Sequence, residues 1–228
     1  MLRAAVVIDY QNVHLTASDV FGDRSNRHES LIHPVHFVKA GLQERNARQR
    51  EGYPHAELQR VIAYRGLPHV GHDWEQHRRC QDQATQWRTD GAEVELRDLK
   101  YRYRNGADGR PVLDIHGNKE PLGPGREKGI DVLCALRCVR EAMKDDVDLV
   151  ILASRDSDLI PVLDEVHDMH REDRGVAPIE TFSWFNRDAS KMGVFTFGNL
   201  RPSEGRRIWN TNLDRSCYEA SLDRRDYR

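Results

Sequence analysis

The sequence predicts an α/β fold: a Rossmann-like three-layer α/β/α sandwich on a mainly parallel five-stranded sheet. Two continuous apolar runs, Ala4-Ala5-Val6-Val7-Ile8 and Leu149-Val150-Ile151-Leu152-Ala153, read as strands buried on both faces. Stretches with three-to-four apolar spacing alternate with such runs, which implies right-handed crossovers in a parallel sheet. Four aspartates stand where strands or crossover helices reach one sheet edge: Asp9 after the first run, Asp156 and Asp158 after the second, and Asp131 at a helix start. In such sheets ligands bind outside the carboxyl ends of the strands, with a strand order of the type 3-2-1-4-5.

The elements follow in order. Residues 4–9 form strand one, and Asp9-Tyr10-Gln11-Asn12 is a strand-to-helix turn. After a polar, His-rich stretch, His33-Pro34 opens a helix over Val35–Arg48, with Val35, Val38 and Leu42 on one face. Leu58–Tyr64 is strand two. Asp73–Arg88 is a helix, stopped by Thr89-Asp90-Gly91, and Val94–Leu99 is strand three. Residues 100–120 read as an inserted hairpin around Asn105-Gly106-Ala107-Asp108-Gly109. The helix Gly129–Lys144 places Val132, Leu136, Val139 and Met143 on its core face. Asp148–Ser154 is strand four, Asp158–Met169 a helix with Pro161 in its first turn, and Pro178–Phe185 strand five. Ser190–Asn199 adds a helical turn or an edge strand. Residues 1–200 thus make one domain. Residues 201–228, rich in arginine (Arg206, Arg207, Arg215, Arg224, Arg225, Arg228), trail it or pack on the sheet through Ile208, Trp209, Leu213 and Tyr218.

Composition sets bounds. In 228 residues, 38% are hydrophobic and 32% charged, so the chain is globular but polar. A net charge of −2 gives no global basic field, so a nucleic-acid partner needs a local basic patch. No apolar segment is long enough for a transmembrane helix, and the N-terminal run is too short for a secretory signal, so a cytoplasmic protein is expected. Cys80, Cys134, Cys138 and Cys217 lack a CxxC pattern and read as buried reduced thiols.

Carboxylates crowded at one edge repel one another unless a cation lies between them. Hard oxygen donors without nearby His or Cys point to Mg²⁺ or Mn²⁺. One or two such ions supply the hydroxide and the charge stabilisation that phosphodiester hydrolysis needs. Asn12 can orient Asp9 or a water, and Ser154 can orient Asp131. Taken singly, each acid has a structural reading: Asp156 and Asp158 as helix caps, Asp131 as a helix-dipole partner, Asp9 in an Asx-turn. Their convergence at one edge is what favours a metal site.

Asp9-x-x-Asn12, Lys128-x-x-Asp131 and Ser154-x-Asp156-x-Asp158, in this order, resemble the NYN domain family of the PIN-like ribonuclease superfamily, over roughly residues 4–200. The resemblance implies a metal-dependent ribonuclease acting on RNA, with Asp9, Asp131, Asp156 and Asp158 as metal-binding and catalytic carboxylates. It further implies Asn12 and Ser154 as supporting residues and Lys128 as a phosphate contact. Arg155 replaces the small residue usual before Asp156, placing an arginine at the pocket mouth to bind the scissile phosphate or to block it.

Two other features bear on function. Tyr101-Arg102-Tyr103-Arg104 interleaves rings and guanidinium groups, as an RNA surface does; equally, the tyrosines bury on one strand face while Arg102 and Arg104 are solvated. His69, His72, His77 and Cys80 have zinc-ligand types at a spacing that fits no common structural-zinc pattern, and a helix start with Cys80 packed inside is the plainer reading. Two rivals stand beside the nuclease. One is a catalytically silent RNA-binding or scaffold protein. The other is a phosphatase, against which Gln11 counts because those with Asp-x-Asp after strand one need an aspartate there.

Overall fold

A computed structural model describes residues 1–21, 30–115, 117–186 and 199–227. The strands are β1 (Leu2–Asp9), β2 (Ala56–Leu67), β3 (Ala92–Asp98), β4 (Leu149–Ala153), β5 (Ile179–Trp184) and β6 (Asn210–Leu213). The helices are α1 (Tyr10–Phe21), α2 (Pro34–Ala47), α3 (Trp74–Thr89), α4 (Ile130–Ala142), α5 (Ile160–Glu172) and α6 (Arg215–Ser221). A 3₁₀ turn over Ser157–Leu159 leads into α5. All six strands pair in parallel, in the order β3-β2-β1-β4-β5-β6.

Period-two alternation divides the core into two layers. From β1 and β4, Ala4, Val6, Ile8, Leu149 and Ile151 face α1, α2 and α6. Ala5, Val7, Val150 and Leu152 face α4 and α5. Each fully buried Val, Leu or Ile contributes roughly 1.5–3 kcal/mol of transfer free energy. Both central strands are therefore apolar over residues 4–8 and 149–153, which is why they are the clearest signal in the sequence. A bulge at Gln59 interrupts the β1–β2 register between Ala4↔Leu58 and Ala5↔Arg60. It leaves Leu58 and Val61 on the same layer and turns Arg60 toward α4.

The expected core face of α4 is corrected. Val132, Leu136 and Met143 are 55%, 59% and 63% exposed, and Val139 only packs at the margin of the core. The sheet-facing row is instead Ile130, Cys134, Cys138 and Ala142. The helix carries two apolar stripes, and spacing alone cannot choose between them. Small thiols and alanine let the helix approach the sheet closely, and a polar clamp fixes its rotation. The Glu141 side chain is fully buried and accepts from Arg137 at 2.7 Å, Lys144 at 2.6 Å and Arg60 at 3.2 Å. Burial pushes its carboxyl up, but Lys144 and Arg137 outweigh that and hold it below the usual value.

The sheet has a sixth strand beyond the five expected. Strand β6 is polar, with Asn210, Thr211 and Asn212, so it carries no apolar run to read. It is held by backbone pairing and by hydroxyl–amide bonds from Thr181 and Ser183 to Asn210, at 3.0 and 2.9 Å. The chain then closes over α2 and α3. Trp87 donates to Asp223 at 2.8 Å, Arg225 pairs with Asp90 at 2.5 Å, and His33 N–H donates to the Ser221 carbonyl at 2.8 Å. The inserted hairpin is longer than expected. It is a three-segment meander that returns as far as Arg126, with paired residues Asn105↔Pro111, Leu113↔Lys119, Tyr103↔Pro121 and Lys100↔Arg126. The structure expected over residues 190–199 lies, through residue 198, outside the described residues. No described helix is long and apolar enough to cross a membrane. All four cysteines are buried and free.

Glu141→Gln removes a buried charge that three partly exposed cations share. It should cost about 2 kcal/mol of unfolding free energy, measured by urea denaturation; a loss under about 0.5 kcal/mol would show that the clamp does not hold α4.

Candidate active site

Asp9 ends β1 with its side chain only 6% exposed. Its Oδ1 accepts from the Asn12 N–H at 3.3 Å, so it also caps α1. Its Oδ2 accepts from the Ser154 hydroxyl at 3.0 Å. That hydroxyl in turn accepts the Asp156 N–H at 3.1 Å, and the Asn12 side-chain oxygen accepts the Arg155 N–H at 2.8 Å. The turn after β1 and the turn after β4 are thereby stitched together by three side chains. Ser154 thus supports Asp9, not Asp131 as the sequence suggested.

Asp131 arrives from the first turn of α4, behind Gly129, whose φ of 81° is the left-handed region that glycine adopts without strain. The result is an open cleft of about 290 Å³ lined by Asp9, Glu127, Lys128, Gly129, Ile130, Asp131 and Asp156. Burial pushes the Asp9 carboxyl up to about 6 against the bonds from Asn12 and Ser154, and the charges of Asp156 and Asp131 add to the rise.

Sequence reasoning missed Glu127. Burial pushes its carboxyl up to about 7, with Asp9 adding to the rise. Its Oε1 accepts from the Gly66 N–H at 2.5 Å, and the Gln11 amide, assigned with its nitrogen toward Glu127 because its oxygen would otherwise face only acceptors, donates to both carboxylate oxygens at 2.9 and 3.2 Å. A Cβ on Gly66 would lie 2.7 Å from that Oε1, so glycine is required there by space. In the sequence Glu127 sits in the charged run Arg126-Glu127-Lys128 and reads as solvated. The signal that places it is Gly66, far away in the chain.

Asp9, Asp131, Asp156 and Lys128 are thus brought together. Asp158 is not: it is exposed on the 3₁₀ turn, where its N–H donates to Asp156 Oδ1 at 3.0 Å. Arg155 is not at the pocket mouth. Its guanidinium turns toward β5 and donates to the Trp184 carbonyl, and burial pulls its pKa down to about 10. Arg102 and Arg104 are exposed on the meander, Arg104 pairing with Glu120 at 3.3 Å. The four zinc-type residues do not converge: Cys80 is buried in the core, and His77 bonds the Pro68 carbonyl at 2.7 Å.

The donors of the cleft suit a hard divalent cation. They are carboxylates alone, with no thiolate or imidazole, and their mutual repulsion is what a cation relieves. Among the described residues, no three His, Cys, Asp or Glu side chains close on one ligand position. An ion here would accordingly keep water in part of its shell, as Mg²⁺ commonly does.

The sheet and its acidic carboxyl edge make a parallel α/β domain, and its match to a family model indicates that the fold is PIN-like and nuclease-type. The NYN domain model matches residues 3–191, and the chain belongs to that family. No protein of curated function matches. A solved structure of a protein of unknown function from Vibrio parahaemolyticus is similar at 16% identity, with 97% of this chain and 96% of that chain covered and a TM-score of 0.45.

The raised Asp9 carboxyl gives a pH signature. Between an unfolded value of 3.8 and a folded value of about 6, the folded state holds a proton that the unfolded state releases. Stability is therefore lost as pH rises through that window, by about 3 kcal/mol in all. Asp9→Asn does not ionise. Its stability relative to wild type should climb between pH 4 and 6 and plateau above, in parallel urea titrations without metal. A pH-independent difference would refute the burial of a charged Asp9.

Proposed function

We propose that this protein is a metal-dependent ribonuclease that cleaves RNA phosphodiester bonds within the chain. The observation carrying the reading is the single cleft that Asp9, Asp131 and Asp156, from three separate elements, line beside Lys128. Family membership supports nuclease chemistry.

Asp9, Asp131 and Asp156 would hold Mg²⁺ or Mn²⁺, with Glu127 as a further acid on the same wall. When bound, the ion supplies a hydroxide at neutral pH and neutralises charge on the phosphoryl oxygens. The protein does the rest. Ser154 and Asn12 hold Asp9 in one orientation through bonds at 3.0 and 3.3 Å. Lys128 presents a positive charge to the phosphate at the cleft wall. Gly66 and Gln11 fix Glu127 on the cleft wall beside them. The cleft is open to solvent, which suits a strand lying across it more than a strand end held in a tunnel.

The test is cleavage of an end-labelled single-stranded RNA with Mn²⁺, Mg²⁺ or EDTA. A ladder of internal products is expected with metal and none with EDTA. Asp131→Asn and Asp156→Asn should each lower the rate at least about a hundredfold with the fold intact. Activity retained in either variant would sink the assignment. RNA bound but uncut, with or without metal, would establish a silent RNA-binding protein instead.

A further inference from the structure

The loop after β2 and the meander after β3 meet at the same sheet edge as the cleft. His72 packs against Tyr101 and Tyr103, with ring centroids 4.6 and 5.7 Å apart, and His69 lies 4.8 Å from His72. The His69 N–H donates to the Tyr101 hydroxyl at 3.1 Å. Trp74 begins α3 at the end of this loop and is 58% exposed. The Arg78 guanidinium lies 5.6 Å from its ring centroid, one helical turn on, and restrains the indole. One exposed tryptophan is ordinary; its company here is not.

Between Lys100 and Arg126 there are six Lys or Arg against three Asp or Glu, in a chain whose net charge is −2. Lys100, Arg102 and Arg104 are all exposed. Alternation along the first segment keeps the two tyrosines on the histidine side and the arginines outward. The meander returns through Arg126 directly into Glu127 and Lys128, which line the cleft. The ring cluster, the exposed guanidinium groups and the cleft acids therefore belong to adjoining segments at the carboxyl edge of the sheet.

We propose that this loop and meander form a stacking platform for an unpaired nucleic-acid strand, with Trp74 taking a base and Lys100, Arg102 and Arg104 the phosphates. A ring face can receive a base only if that base is unstacked, so the platform selects single strands over duplexes. A strand seated there continues past Lys128 into the cleft. The purpose of the platform rests on the nuclease reading, but its existence does not, and the two are separable by experiment.

The measurement is fluorescence anisotropy of the full chain in EDTA, where binding is read without cleavage. The probes are a short fluorescein-labelled single-stranded RNA and the same strand annealed to its complement. Trp74→Ala, at an exposed position, should raise Kd for the single strand about tenfold and leave the duplex within twofold. Arg102→Ala with Arg104→Ala should weaken both probes and flatten the salt dependence. A single-strand Kd unchanged in Trp74→Ala, or an equal loss on the duplex, would overturn the platform. In the first case wild-type cleavage could persist and the nuclease reading would survive. Conversely, Trp74-dependent binding without any metal-dependent cleavage would uphold the platform and remove the nuclease.

Discussion

The hydroxyl of Ser154 donating to the carboxylate of Asp9 is the contact on which the acidic edge depends. It joins residues 145 apart in sequence, at the ends of neighbouring central strands. Because β1 and β4 are buried on both faces, neither strand can shift without exposing a layer of the core. The bond is therefore short-ranged in space yet braced by the whole sandwich. Burial disfavours a charge on Asp9 that water would sustain, the bonds from Asn12 and Ser154 partly offset that, and repulsion from Asp156 and Asp131 adds to the strain of the site. Stability and function pull in opposite directions at this one side chain.

Around that edge the fold divides its labour. One face of the sheet and the tail make a single layer: Tyr10, Trp87, Phe37, Trp184 and Tyr218 pack within it, and Asp223 and Arg225 close it over α3. The other layer carries α4 and α5, packed through small residues. The aromatic side anchors α1 directly behind Asp9, while the thiol side brings Asp131 in.

What the sequence revealed and what it concealed follow the same physics. The runs at 4–8 and 149–153 were legible because burial on both faces leaves no polar residue to confuse them. Asp9, Asp131 and Asp156 were legible because topology alone sends strand ends and helix starts to one edge. Strand β6 was not, since an edge strand of Asn210, Thr211 and Asn212 relies on hydrogen bonds rather than burial. The face of α4 was misread because two apolar stripes compete, and the arbiter, Glu141, draws Arg60 from a distant strand. Arg155 and Asp158 flank Asp156 at one and two residues' distance. In a turn, such neighbours point in unrelated directions, so a motif cannot say which of its side chains enters the cleft. Glu127 was invisible for the opposite reason: its position is set by Gly66 and Gln11, which no local pattern connects to it.

The Glu141 clamp has a mechanical side. Helix α4 carries Glu141 near one end and Asp131 near the other, ten residues and about 15 Å apart along a rigid rod. A rod transmits torque: its azimuth is set where Arg60, Arg137 and Lys144 grip it and expressed where Asp131 faces the cleft. The far end of the helix is thus a tuning peg for the near end, and charges that never meet a substrate decide the direction in which a cleft carboxylate points.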